Sequence, residues 1–194
     1  MGNIGASELA AHTVALQIAA LAFQVPFGVG QAATIRVGYF YGARDEGGIR
    51  RAGWTAIVVG TGFMVLTALA MVVIPKPLIA IYVDPWDPKN AVLVGFALQY
   101  IVIAAAFQLF DGMQAVAAGA LRGLQDTRIP MWIAAFAYWV PGIGTALVLG
   151  FATPLEGTGV WIGLATGLTF AAALLGWRWH RREALGLTLR PVSR

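Results

Sequence analysis

Asp111 is set apart from the other eight acidic residues, which lie in connectors, at segment ends or in the tail. It sits inside the apolar stretch "FQLFDGMQAVAAGALRG", residues 107–123. Read as a helix, this stretch places Asp111 about eleven residues, or ~16 Å, from Arg122 near its end. In hydrocarbon a carboxylate at such depth costs on the order of 2.5–3.5 kcal/mol on insertion scales, so it should face a polar cavity or a partner. Gln108 and Gln114 flank it at i−3 and i+3, and Phe107 lies at i−4 on the same side. Tyr100 returns to nearly the same face. This polar stripe with aromatic walls fits a site for a proton, an organic cation or a metal ion, with Asp111 as the oxygen ligand if the ion is Na⁺. A hydrogen bond from Asp111 to a neighbouring helix is the alternative.

Two further groups could line the same space. Gln17, Gln24 and Gln31 recur every seven residues, a rotation of only about 20° per step on a helix. Thr13 and Thr34 fall near that face, and Pro26 predicts a kink in mid-segment. The stripe reads either as a helix–helix contact through amide hydrogen bonds or as the wall of a water-filled cavity facing Asp111. Tyr138, with Pro130, Pro141, Gly142 and Gly144 nearby, suggests a bent helix beside that cavity. His12 reads as interfacial. Enzyme chemistry finds little support: there is no second buried carboxylate, His cluster, activated Ser or phosphate loop.

These residues need a scaffold, and composition says which. The 194 residues are 59% hydrophobic and 11% charged, against roughly 25% charged in ordinary soluble domains. Mean hydropathy is +0.74. Five apolar stretches, near 9–41, 54–83, 91–121, 131–151 and 160–179, each reach the roughly 20 residues that cross a bilayer as a helix. Runs of this length cannot be the alternating strands of a barrel. The predicted fold is an all-α polytopic transmembrane bundle, residues 1–183, followed by a tail at 184–194. Glycine pairs at Gly38/Gly42, Gly119/Gly123 and Gly159/Gly163/Gly167 predict close helix packing, and Trp54, Trp161, Trp177 and Trp179 read as interfacial anchors.

Eleven of the thirteen Lys and Arg residues fall on alternate ends of these segments, leaving Lys76 and Lys89 opposite. The positive-inside rule makes the arginine-rich end and the C-terminus cytoplasmic. The net charge of +4 is therefore topological and does not point to nucleic acid. Five spans would leave the N-terminus outside without a signal sequence, an awkward arrangement that predicts another helix upstream.

Four ordered segments carry a resemblance: "LAAHTVALQIAALAFQVPFGVGQAATIRVGYFYGA" (9–43), "GALRGLQDTRIP" (119–130), "AYWVPGIG" (137–144) and "GTGVWIGLATGL" (157–168). In order and spacing they resemble the multidrug and toxin extrusion (MATE) family, over nearly the whole chain. The resemblance implies helices eight to twelve of a two-lobed transporter, without the first helix of the C-terminal lobe or the N-terminal lobe. It implies exchange of Na⁺ or H⁺ for cationic amphipathic compounds across the bacterial inner membrane, with no cofactor beyond the coupling ion. Asp111 falls where the family's tenth helix carries a cation-site Asp, whose acidic partner would lie on the absent seventh helix. The Tyr often found four residues earlier is Phe107 here, so no hydroxyl is offered there. The expected partners are membrane lipid, cationic small molecules, the preceding helix and the other lobe. A flippase-like exporter of lipid-linked or polysaccharide intermediates, and a non-transporting scaffold, are the alternatives.

Overall fold

The computed structural model describes residues 5–188; residues 1–4 and 189–194, with Arg190 and Arg194 of the tail, lie outside the described residues. Seven helices follow one another: α1 (Ala6–Gly42), α2 (Glu46–Val73), α3 (Pro75–Ile79), α4 (Ala91–Gly123), α5 (Arg128–Ala137), α6 (Gly144–Phe151) and α7 (Glu156–His180). The widened turn Tyr138–Ile143 joins α5 to α6, so that these two make one span. Five segments are thus long and apolar enough to cross a membrane. No strand occurs among the described residues.

Tight reversals make the spans antiparallel neighbours. α1 hands over to α2 within three residues. Arg44 takes a left-handed φ of 56°, which lets the Asp45 amide reach back to the Phe40 carbonyl. The Asp45 carboxylate then accepts from the Gly48 amide at 2.9 Å and caps α2. The α4–α5 connector repeats the device. Gln125 has a φ of 63°, and the Asp126 amide reaches the Leu121 carbonyl. Asp126 itself is tied to Arg178 of α7 at 2.6 Å, both side chains being largely buried.

The second span differs from its expected limits. It runs over Glu46–Val73 rather than 54–83, because Asp45 starts it early and Pro75 disfavours helical backbone at Ile74. Ile74 has φ −128° and ψ 51°, and only the short α3 and turns follow before α4. Pro26, in turn, does not interrupt α1, which runs as one helix past it.

α4 is the hub, packed against α1, α2 and α7, while α7 also holds α6 and the widened turn. The interior falls into two apolar clusters along α4. One gathers Ala11, Ile18, Tyr100, Phe107 and Trp161. The other, at the arginine-rich end, gathers Val37, Val116, Leu121, Leu175 and Trp179. Gln108, Asp111 and Gln114 occupy the stretch of α4 between Phe107 and Val116, where one cluster gives way to the other. Trp161 and Trp179 are fully buried in these clusters and are not interfacial anchors, whereas Trp54 and Trp177 are exposed. Trp179 fits where Gly53 of α2 leaves room for its ring.

The start of the tail is also more integrated than its charge suggests. Arg182 is 3% exposed, with its guanidinium 4.7 Å from the Trp179 ring and 2.8 Å from Glu183. Burial pushes its pKa below the ordinary arginine value, and the Glu183 carboxylate acts in the opposite direction.

Candidate ion- and substrate-binding site

Three elements frame the waist of α4. On one side lies α2, on another α7, and on a third the widened turn that begins at Tyr138. Pro141 accounts for that turn: it lacks the N–H that would bond to the Ala137 carbonyl, and its ring crowds the same group. A widened turn absorbs the misfit. Gly142 and Gly167 of α7 leave the space for it, since a Cβ on either would come within 3.1–3.2 Å of the Ala137 oxygen. Tyr138 is thereby fixed at the head of the turn, and its hydroxyl donates to Gln114 Oε1 at 2.6 Å.

The polar stripe of α4 is divided between two neighbours. Gln114 looks toward Tyr138 and bonds it, and Asp111 lies three residues before Gln114 on the same helix. Asp111 is partly buried and takes no hydrogen bond among the described residues. Gln108 turns instead to α2. It is 1% exposed, and its amide donates to Thr67 Oγ1 at 2.9 Å and to the Met64 carbonyl at 3.3 Å. Its Oε1 is buried without a partner among the described residues. The neighbouring Gly112 lies against Met64, which sets α4 and α2 close enough for this contact.

The aromatic wall is tighter than a cavity lining. Tyr100 and Phe107 stack on Trp161 of α7 with ring centroids 5.7 and 5.5 Å apart, and His12 of α1 meets the same indole edge-on at 5.4 Å. Tyr100 also stacks on Phe96 at 6.3 Å. Trp161 was not expected here. The clue was the seven-residue spacing of Tyr100 and Phe107, which leaves a slot for one large ring from a neighbouring helix. Thr67 is a second addition, and nothing in the sequence marks it as the partner of Gln108.

The first-helix stripe is exposed. Thr13, Gln17, Gln24 and Gln31 are all exposed on the surface of α1, where Thr13 bonds only its own Leu9 carbonyl at 2.9 Å. The three glutamines make no hydrogen bond among the described residues. Thr34 departs from that face. Its hydroxyl bridges to the Gly119 carbonyl of α4 at 2.9 Å.

One cavity reaches this region from the arginine-rich end. It has a volume of about 350 Å³ and is lined by Gln114, Ala118, Arg122, Asp126, Thr127 and Met131, among others. Gln114 is thus shared between the cavity and the Tyr138 contact, one turn from Asp111. Among the described residues no group of three or more His, Cys, Asp or Glu side chains gathers as a metal site. Asp111 would need oxygen ligands of other kinds to hold Na⁺.

The comparisons with known proteins agree with one another. The family model described as MatE matches residues 1–148. A probable multidrug resistance protein NorM of Mesorhizobium japonicum is 50% identical over 185 residues, covering 95% of this chain and 40% of that protein. The multidrug resistance protein NorM of Burkholderia vietnamiensis is 47% identical over 184 residues, again 95% of this chain and 40% of its own length. The chain therefore spans about two-fifths of the length of these relatives. Its fold is similar to the crystal structure of the eukaryotic MATE transporter AtDTX14, with a TM-score of 0.78 and 23% identity, covering 94% of this chain and 41% of that one.

Proposed function

This chain belongs to the MatE family and is a multi-pass membrane protein, and from that premise we propose that its five spans act within a two-lobed exporter of cationic amphipathic compounds. The coupling ion is Na⁺ or H⁺, moving against the drug. The membrane is the bacterial inner membrane, with the arginine-rich end and the C-terminus in the cytoplasm. The observation that carries this reading is Asp111 itself: a carboxylate at the waist of α4, one turn from Gln114 and its contact with Tyr138, with no cation paired to it among the described residues.

The chemistry follows from one charge in a poorly hydrated setting. A proton, a Na⁺ ion or an organic cation can each neutralise a carboxylate there, but two together leave an excess positive charge with little solvent to screen it. Occupancy is then mutually exclusive. If the ion and the drug are taken up from opposite sides, mutual exclusion couples their fluxes in opposite directions. Tyr138 and Gln114 hold one another and shape the wall beside the carboxylate. Gln108 and Thr67 keep α2 against α4. The widened turn and its glycine partners give the fourth span a bend at the depth of the site.

The test is efflux by a complete transporter carrying this chain, expressed in drug-sensitive bacteria. Accumulation of ethidium should fall, and collapsing the Na⁺ and proton gradients with ionophores should restore it. Accumulation that ignores expression contradicts export. Efflux that persists after both gradients are collapsed contradicts ion coupling.

A further inference from the structure

Between α1 and α2, at the arginine-rich end, lies an open groove of about 410 Å³. Its walls are apolar, formed by Val29 and Ala33 of α1 and Ala56 and Val59 of α2. Its rim carries two guanidiniums, Arg36 from one helix and Arg51 from the other. Both side chains are exposed, and neither is ion-paired among the described residues, where the carboxylate partners of arginine are Asp126 to Arg178 and Glu183 to Arg182. Arg36 is instead poised over the Phe40 ring at 5.5 Å. Neither Asp45, whose carboxylate caps α2, nor Glu46 forms an ion pair with either arginine.

We propose that this groove is a binding site for an anionic phospholipid, with Arg36 and Arg51 holding the phosphate headgroup and the apolar walls holding an acyl chain. Depth supports the pairing. Val29 lies seven residues before Arg36, so the wall continues ~10 Å along the helix from the charged rim toward the bilayer interior. Two arginines on facing helices offer forked donors suited to phosphate oxygens. Basic pockets between transmembrane helices suit anionic headgroups for this reason. A soluble anion would use the rim and leave the walls bare, whereas a zwitterionic lipid would bring a second positive charge to the two guanidiniums.

The complete transporter carrying this chain, purified in a mild non-ionic detergent, is titrated with phosphatidylglycerol and with phosphatidylcholine, and bound lipid is counted by native mass spectrometry. Phosphatidylglycerol should bind the more tightly, and the double variant Arg36→Gln/Arg51→Gln should weaken it about tenfold or more while leaving phosphatidylcholine unchanged. Arg122→Gln/Arg128→Gln removes the same charge from the same end and should leave binding unchanged. Ala56→Phe, which fills the groove and keeps both charges, should weaken binding as well. Equal losses in the two arginine double variants, equal binding of the two lipids by the unmodified transporter, or undiminished binding in Ala56→Phe would each overturn the site.

Discussion

Asp111→Asn should eliminate the proposed ion-driven efflux in the complete transporter, returning dye accumulation to that of cells without it, while the protein should reach the membrane in undiminished amount. Asparagine keeps the shape and removes the one charge that an ion and a cationic drug would compete for. The substitution should not unfold the bundle. A formal charge at this depth costs on the order of 2.5–3.5 kcal/mol on insertion scales, so its removal leaves thermal stability equal or raised. No donor is orphaned either, since Asp111 accepts no hydrogen bond among the described residues. A helix-bridging Asp111 predicts the reverse pattern, lost stability with residual coupling. Dye efflux, membrane abundance and a melting curve on the same variant separate the two.

Gly119→Val, by contrast, should wreck the bundle regardless of transport. Gly119 faces Gly30 at the crossing of α1 and α4, and a Cβ there would lie 2.8 and 2.9 Å from the Gly30 carbonyl carbon and Cα. Backbone cannot swing aside as a side chain does, so the helices must part. Separation also breaks the bond from Thr34 to the Gly119 carbonyl. Overpacking typically costs 1–3 kcal/mol, and an interhelical bond in a membrane averages ~0.6, so a loss of about 3 kcal/mol is expected. Thr34→Val alone should lose only the smaller part. Gly42→Ala, with nothing within 4 Å of the added carbon, should be neutral in the same unfolding assay.

Periodicity and composition made the bundle legible, because a lipid solvent leaves long apolar segments few other choices. Packing was legible where it rests on local spacing: Gly119 and Gly123 on α4, and Gly159, Gly163 and Gly167 on α7, do lie at close contacts. Gly42 matched the same spacing and touches nothing, since a small-residue pair does not say whether a neighbour is present. Asp111 was legible from its isolation alone. What surrounds it was not. Gln108 and Gln114 flank Asp111 on one helix face, yet α2 takes the first and the fourth span meets the second. That division depends on where Thr67 and Tyr138 arrive from distant parts of the chain. The glutamine stripe of α1 is regular for the same seven-residue reason as a packed seam, yet it lies exposed on α1. Trp161 looked interfacial from its place one turn into α7, and the ring slot on α4 draws it inward instead.

The most direct test of Asp111 as the switch is competition at equilibrium. Binding of a fluorescent cationic drug to the purified complete transporter is titrated at a series of Na⁺ concentrations and pH values. The apparent Kd of the unmodified protein should rise in proportion to Na⁺ or to proton concentration, and in Asp111→Asn it should be weak and independent of both. Drug affinity that ignores the ions in the unmodified protein, or that keeps its full ion dependence in Asp111→Asn, would contradict a single carboxylate shared by ion and drug.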